Sequence, residues 1–150
     1  MSSAKEKALD YLGRFSRTER QLTQYLSRKG FEPQEISETL AYLREQHFLD
    51  DQAFAVSFIQ SRIERCDGPL KIKQMLFQKG IDPATADRLL QESYPSHLQL
   101  ERAKVLLHKR VRARHASPLQ AKERKRLLQF LASRGFYRYV IIQAFDDHEK

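Results

Sequence analysis

The sequence predicts an all-α fold of three tandem three-helix repeats forming an elongated, curved body, and three observations predict it. One short mark is written three times, as "LSRKGF" (26–31), "LFQKGI" (76–81) and "LASRGF" (131–136). Apolar residues recur around each mark at helical spacing. No segment reads as a credible strand, since the apolar run "YVII" (139–142) lies within the register of a helix.

Aligned on Gly30, Gly80 and Gly135, the three copies agree position by position. Leu22, Ile72 and Leu127 stand eight before the glycine; Tyr25, Met75 and Phe130 stand five before. Leu26, Leu76 and Leu131 stand four before, and a basic residue (Lys29, Lys79, Arg134) always comes immediately before. Phe31, Ile81 and Phe136 follow the glycine directly; Ile36, Ala86 and Ile141, then Leu40, Leu90 and Phe145, fall six and ten after. The period is about 50 residues, a repeat too small for a large core of its own. The mark itself reads as a helix C-cap. Glycine adopts the left-handed conformation at little cost, the next apolar residue folds back on the last turn, and the cation suits the helix dipole.

The elements follow in order. The first repeat, 1–49, opens with a helix over about 4–14 on Ala8, Leu12 and Phe15, and Ser16 with Glu19 forms a capping box for the next helix. In the second, 50–95, Asp50-Asp51 caps a helix over 51–66 bearing Phe54, Phe58 and Ile63. Gly68-Pro69 and Asp82-Pro83 open its other two helices. The third, 96–150, starts with a helix over 97–115 on Leu100, Ala103, Leu107 and Val111. Ser96 with Gln99 and Ser117 with Gln120 read as further capping boxes, with Pro118 at a first helical position.

Composition narrows function. The chain has 27 Lys/Arg against 19 Asp/Glu, a net charge of +8. Residues 101–126 hold ten of those cations against Glu101 and Glu123 alone, so this stretch accounts for the whole excess. A local excess of that size points to an anionic partner met by one part of the molecule. On the helix over 97–115, Lys104, Lys109, Arg112 and His115 fall mainly on the side away from Leu100, Leu107 and Val111. Phe130, Phe136 and Phe145 sit in the apolar register and are expected in the core. The single cysteine, Cys66, excludes an internal disulfide and suits a reducing compartment. "MSSAKEKALDYL" lacks the apolar region of a secretory signal, and no run approaches the roughly 18 apolar residues of a membrane span. A cytoplasmic protein is expected.

Reactive chemistry is not expected. His47, His97, His108, His115 and His148 are scattered; His108 and His115 lie seven apart with no cysteine or carboxylate cluster joining them. Cys66 neighbours Arg65 but no histidine, and no glycine-rich phosphate loop occurs. No catalytic residue, metal or cofactor is assigned.

The segment "FLDDQAFAVSFIQSRIERCDGPLKIKQMLFQKGID" (48–82) carries Leu49-Asp50-Asp51, Phe54-Ala55, Ser61-Arg62, Gly68-Pro69, alternating cations before Leu76, and Gln78-Lys79-Gly80-Ile81. In that order and spacing it resembles the middle repeat of the RecX family, bacterial modulators of the RecA recombinase. "FSRTERQLTQYLSRKGF" and "KRLLQFLASRGF" are similar to the first and third repeats, so the resemblance spans about residues 5–146. It implies a non-catalytic, mainly inhibitory regulator that lodges in the groove of the RecA filament on single-stranded DNA. Filament growth, ATP hydrolysis, strand exchange and coprotease activity would be limited. The resemblance assigns partner contact to Arg62, Arg65, Lys71, Lys73 and Lys79 in the middle repeat. The charge count adds Arg102, Lys109, Arg112, Arg114, Arg124, Lys125 and Arg126. Lys71 and Lys73 stand where the family usually has arginine, keeping charge but losing the bidentate fork, and Met75 replaces a common glutamate. A monomer with a weak direct DNA contact is expected. The alternative is a DNA-binding protein acting without RecA, by helix-turn-helix or by non-specific single-strand binding. Against the former, "PQEISETLAYLRE" (33–45) is acidic and would be repelled by phosphate.

Overall fold

The structure, a computed structural model, describes residues 2–112 and 119–149. Among them are nine helices and no strand: α1 (Ala4–Arg14), α2 (Glu19–Arg28), α3 (Pro33–Glu45), α4 (Asp51–Glu64), α5 (Pro69–Lys79), α6 (Pro83–Ser93), α7 (Ser96–Arg112), α8 (Ala121–Ser133) and α9 (Arg138–His148). "YVII" lies inside α9. The helices pack principally in consecutive threes, α1–α3, α4–α6 and α7–α9.

The repeat register is the burial pattern. Leu22, Ile72 and Leu127, Leu26, Leu76 and Leu131, and Ile36, Ala86 and Ile141 are all buried. They do not form one core. Leu22, Leu26, Ile36, Leu43 and Leu49 make a core confined to the first unit. A second core runs without a break through the other two, from Ile59, Ile72 and Leu76 through Tyr94 to Leu107, Leu131 and Phe145.

Gly30, Gly80 and Gly135 have φ of 91°, 99° and 94°, and each closes a Schellman turn. The amides of Phe31, Ile81 and Phe136 donate to the carbonyls of Leu26, Leu76 and Leu131 at 3.2, 3.0 and 3.4 Å. Two more helices end the same way without glycine. His47 and Cys66 both have φ 62°, and Phe48 and Asp67 donate to Leu43 and Arg62 at 2.9 and 3.0 Å. Sequence reading passed over these two caps because the residue that announces such a turn is absent. His47 is exposed, so His47→Gly removes left-handed strain without opening a cavity. It is expected to stabilise the first unit by about 1 kcal/mol or somewhat less, the gain being offset in part by the freer unfolded chain. A urea midpoint that falls instead of rising would refute this.

The helix starts require corrections. The box of α2 is formed by Thr18 and Gln21, two residues beyond the expected Ser16 and Glu19: Gln21 N–H donates to Thr18 Oγ1 at 3.2 Å, and Thr18 N–H to Gln21 Oε1 at 3.0 Å. Both pairs satisfy the local pattern; Thr18 is selected because its buried hydroxyl also donates to the carbonyl of Lys79 in the next unit. Ser96 and Gln99 make no box either. Pro95 O accepts the Leu98 and Gln99 amides, while the Gln99 side chain donates to Tyr94 O at 2.7 Å. Ser117, Pro118 and the end of the expected 97–115 helix lie outside the described residues. Gln120 is the N-cap of α8, with no side-chain cap bond. Asp50 caps α4 as expected, accepting from Ala53 N–H at 3.1 Å.

Candidate partner-binding surface

The surface available to a partner is set by how many cations the junctions between units consume. At the second junction α4 ends in the left-handed turn at Cys66, which delivers Asp67 into the interior with 0% of its side chain exposed. Three cations converge on that carboxylate. Arg62 reaches Oδ2 through both Nε and Nη2 at 2.5 Å. Arg134 reaches Oδ1 at 3.0 Å through Nη2, and Lys71 Nζ lies 3.3 Å from the same oxygen. Arg134 also donates to Arg65 O at 2.8 Å, and Tyr94 Oη to Asp67 O at 2.7 Å. A buried carboxylate is tolerated only when paired in this way. Burial pushes the Tyr94 hydroxyl well above the usual tyrosine range.

Beside the cluster two turns touch backbone to backbone. Gly68 N–H donates to Arg134 O at 2.7 Å and Leu70 N–H to Gly135 O at 3.0 Å. A Cβ on Gly68 would lie 2.3 Å from Gly135 C. The first junction uses the same repeat positions with different chemistry. Thr18 stands where Gly68 does, twelve before its glycine, and bonds Lys79, which stands where Arg134 does. Arg20 Nη2 donates to Gln78 O at 2.5 Å, and Glu19 N–H to Asp51 Oδ1 at 2.9 Å. Burial holds the Asp51 carboxyl above its ordinary range, helped by the charges of Glu19 and Asp50 and opposed by the Glu19 amide. Asp51 is thus an inter-unit tie and not a second cap.

Against this frame the expected contact residues separate. Arg62 and Lys71, expected to meet a partner, are engaged at the buried Asp67. Arg65 is exposed at the end of α4. Lys73 Nζ pairs with Asp87 at 2.8 Å, and Lys79 lies over the Phe58 ring at 5.3 Å. Arg102 is half-buried with Nε lacking a partner among the described residues. Arg124 pairs with Glu149 and covers the Phe145 ring. Lys109 and Arg112 on α7, and Lys125 and Arg126 on α8, are exposed and form no ion pair among the described residues. Arg114 lies outside them.

Sequence reading missed Arg134 as a junction residue. Its basic character before Gly135 was legible, but its partner Asp67 is 67 residues away. Among the described residues no three His, Cys, Asp or Glu are grouped to hold a metal, and no helix is long and apolar enough to cross a membrane.

Comparison with known proteins meets this architecture directly. Residues 4–43 match the model of the first three-helix domain of RecX, and residues 50–90 that of the second. The chain belongs to the RecX family. The regulatory protein RecX of Halorhodospira halophila is 35% identical over 137 residues, covering 89% of this chain and 81% of that one. For the regulatory protein RecX of Oceanobacillus iheyensis the identity is 32% over 145 residues, covering 94% of this chain but about half (53%) of the relative's length. The crystal structure of RecX from Lactobacillus salivarius superposes with a TM-score of 0.86 at 27% identity, covering 96% of this chain and 93% of that one. The matched ranges fall on α1–α3 and on α4–α6.

Proposed function

We propose that this RecX-family chain is a non-catalytic, mainly inhibitory regulator of the RecA recombinase, binding the RecA filament on single-stranded DNA in the cytoplasm. The observation that carries the reading is the contrast between consumed and unconsumed charge. Arg62, Lys71 and Arg134 neutralise a carboxylate inside the protein, whereas Lys109, Arg112, Lys125 and Arg126 hold their charge outward on two helices of the third unit. An anionic partner compensates such a face at little desolvation cost. Units two and three share one core, so these four cations are held in place relative to Arg65 on the middle unit. A two-unit rigid body spans neighbouring protomers of a filament where a single unit touches one.

The test is RecA ATPase on single-stranded DNA, at protein levels too low to coat the DNA. The variant Lys109→Glu/Arg112→Glu/Lys125→Glu/Arg126→Glu is expected to need about tenfold more protein for half-inhibition, a gap that narrows as salt rises. Equal inhibition by parent and variant would remove this face from the interaction.

A further inference from the structure

Two tyrosines stand out of the repeat pattern. Tyr137 and Tyr139 are 38% and 59% exposed, and their rings stack on each other at 5.6 Å and 14°. They flank Arg138 at the start of α9, where Tyr137 is the N-cap without a side-chain cap bond and the first turn holds no acid. The first amides of a helix have no partner within it and favour an anion. The same tyrosines border a cleft of about 580 Å³ between the second and third units, lined also by Gln91 and by Lys73, whose charge is paired with Asp87 in the same lining. Gln99 also lines it, only 8% exposed, its nitrogen held by Tyr94 O and its Oε1 without a hydrogen bond among the described residues.

We infer that this cleft is a stacking site for an unpaired nucleobase of single-stranded DNA, with the adjoining phosphate at Arg138 and the open end of α9. An exposed parallel pair of rings is extended by a third flat ring, and every base offers one. Arg138 and the uncapped helix end supply the complement to the backbone charge. The unsatisfied Gln99 acceptor in the cleft wall is met by a base N–H or a bridging water. A duplex buries its base faces, so the site selects single strands. The inference deepens the reading above by giving DNA its own contact, and it does not require RecA.

The chain has six tyrosines and no tryptophan, so its intrinsic emission reports tyrosine directly. Titration with oligothymidylate of about twelve nucleotides is compared with an abasic oligomer of equal length, both without RecA. The thymidylate is expected to quench the emission and to bind about tenfold more tightly than the abasic strand. Tyr139→Ala should erase that preference and Tyr139→Phe should keep it. Equal affinity for the two strands, or a preference that survives Tyr139→Ala, overturns the site. If Tyr139→Ala keeps the preference while losing inhibition of RecA ATPase, the surface belongs to a protein partner and the inference is equally overturned.

Discussion

Asp67→Asn is expected to destabilise the joined second and third units by about 3 kcal/mol, with loss of a single cooperative transition. The substitution keeps the side chain's shape and removes its charge, leaving Arg62, Arg134 and Lys71 around an uncharged amide. Lys71, 34% exposed, turns to water at small cost. Arg62 and Arg134, only 17% and 26% exposed, are confined with their charge unbalanced. Breaking one member of a buried ionic group typically costs about 3–5 kcal/mol, and the partial exposure of the cations sets the value at the lower end. Urea unfolding followed by circular dichroism reads the effect. The first unit has its own core, so its transition should stay near the parent's while the other moves to lower urea. Lys71→Met removes one cation of three and should cost less than about 1 kcal/mol. An Asp67→Asn midpoint equal to the parent's would show that the cluster does not hold the junction.

The second large effect concerns the three glycines, equivalent in sequence. Replacement by alanine should cost least at Gly30, more at Gly80 and most at Gly135. All three pay the left-handed backbone cost of about 1 kcal/mol. At Gly30 that is the whole cost, because a Cβ meets nothing within 4 Å. At Gly80 the Cβ lies 2.5 Å from the Arg20 Cβ, so the first junction must open slightly. At Gly135 it lies 2.4 Å from the Lys71 amide nitrogen and 2.5 Å from the Lys71 Cβ. Backbone there is fixed by the Asp67 cluster and by the Gly135 carbonyl bond to Leu70, so relief requires separating two units. The expected loss is about 3 kcal/mol or more. Thermal midpoints of the three single variants test the ranking. Equal shifts would mean that the junctions yield and that only the turn conformation matters.

The helices, their order and the buried positions −8, −4 and +6 followed from spacing alone, and the three glycine turns adopt the predicted conformation. These features are decided within one or two helical turns, where side-chain period and backbone sterics act without outside help. Thr18 replaced Ser16 as a cap because its contact with Lys79 in the next unit tipped a locally even choice, whereas His47 and Cys66 form glycine-type turns without the residue that marks them in sequence.

The surface was less legible than the fold. The resemblance names Arg62 and Lys71 and the charge count names Arg124 and Lys125, but position decides that the first two serve Asp67, the third serves Glu149, and the last faces outward. Tyr137 and Tyr139 fall outside the repeat register, and only packing left them exposed on a cleft.

By itself, then, the sequence determined a threefold series of short helices and a strongly basic third segment. Only the tertiary structure decided that the last two units share one core while the first keeps its own, and which cations are paired within the protein. The physical reason is range. Helical period and caps are written in neighbouring residues, whereas Arg134 lies 67 residues from the Asp67 carboxylate, and the backbone neighbour of Gly135 is equally remote, so they meet only once the units pack.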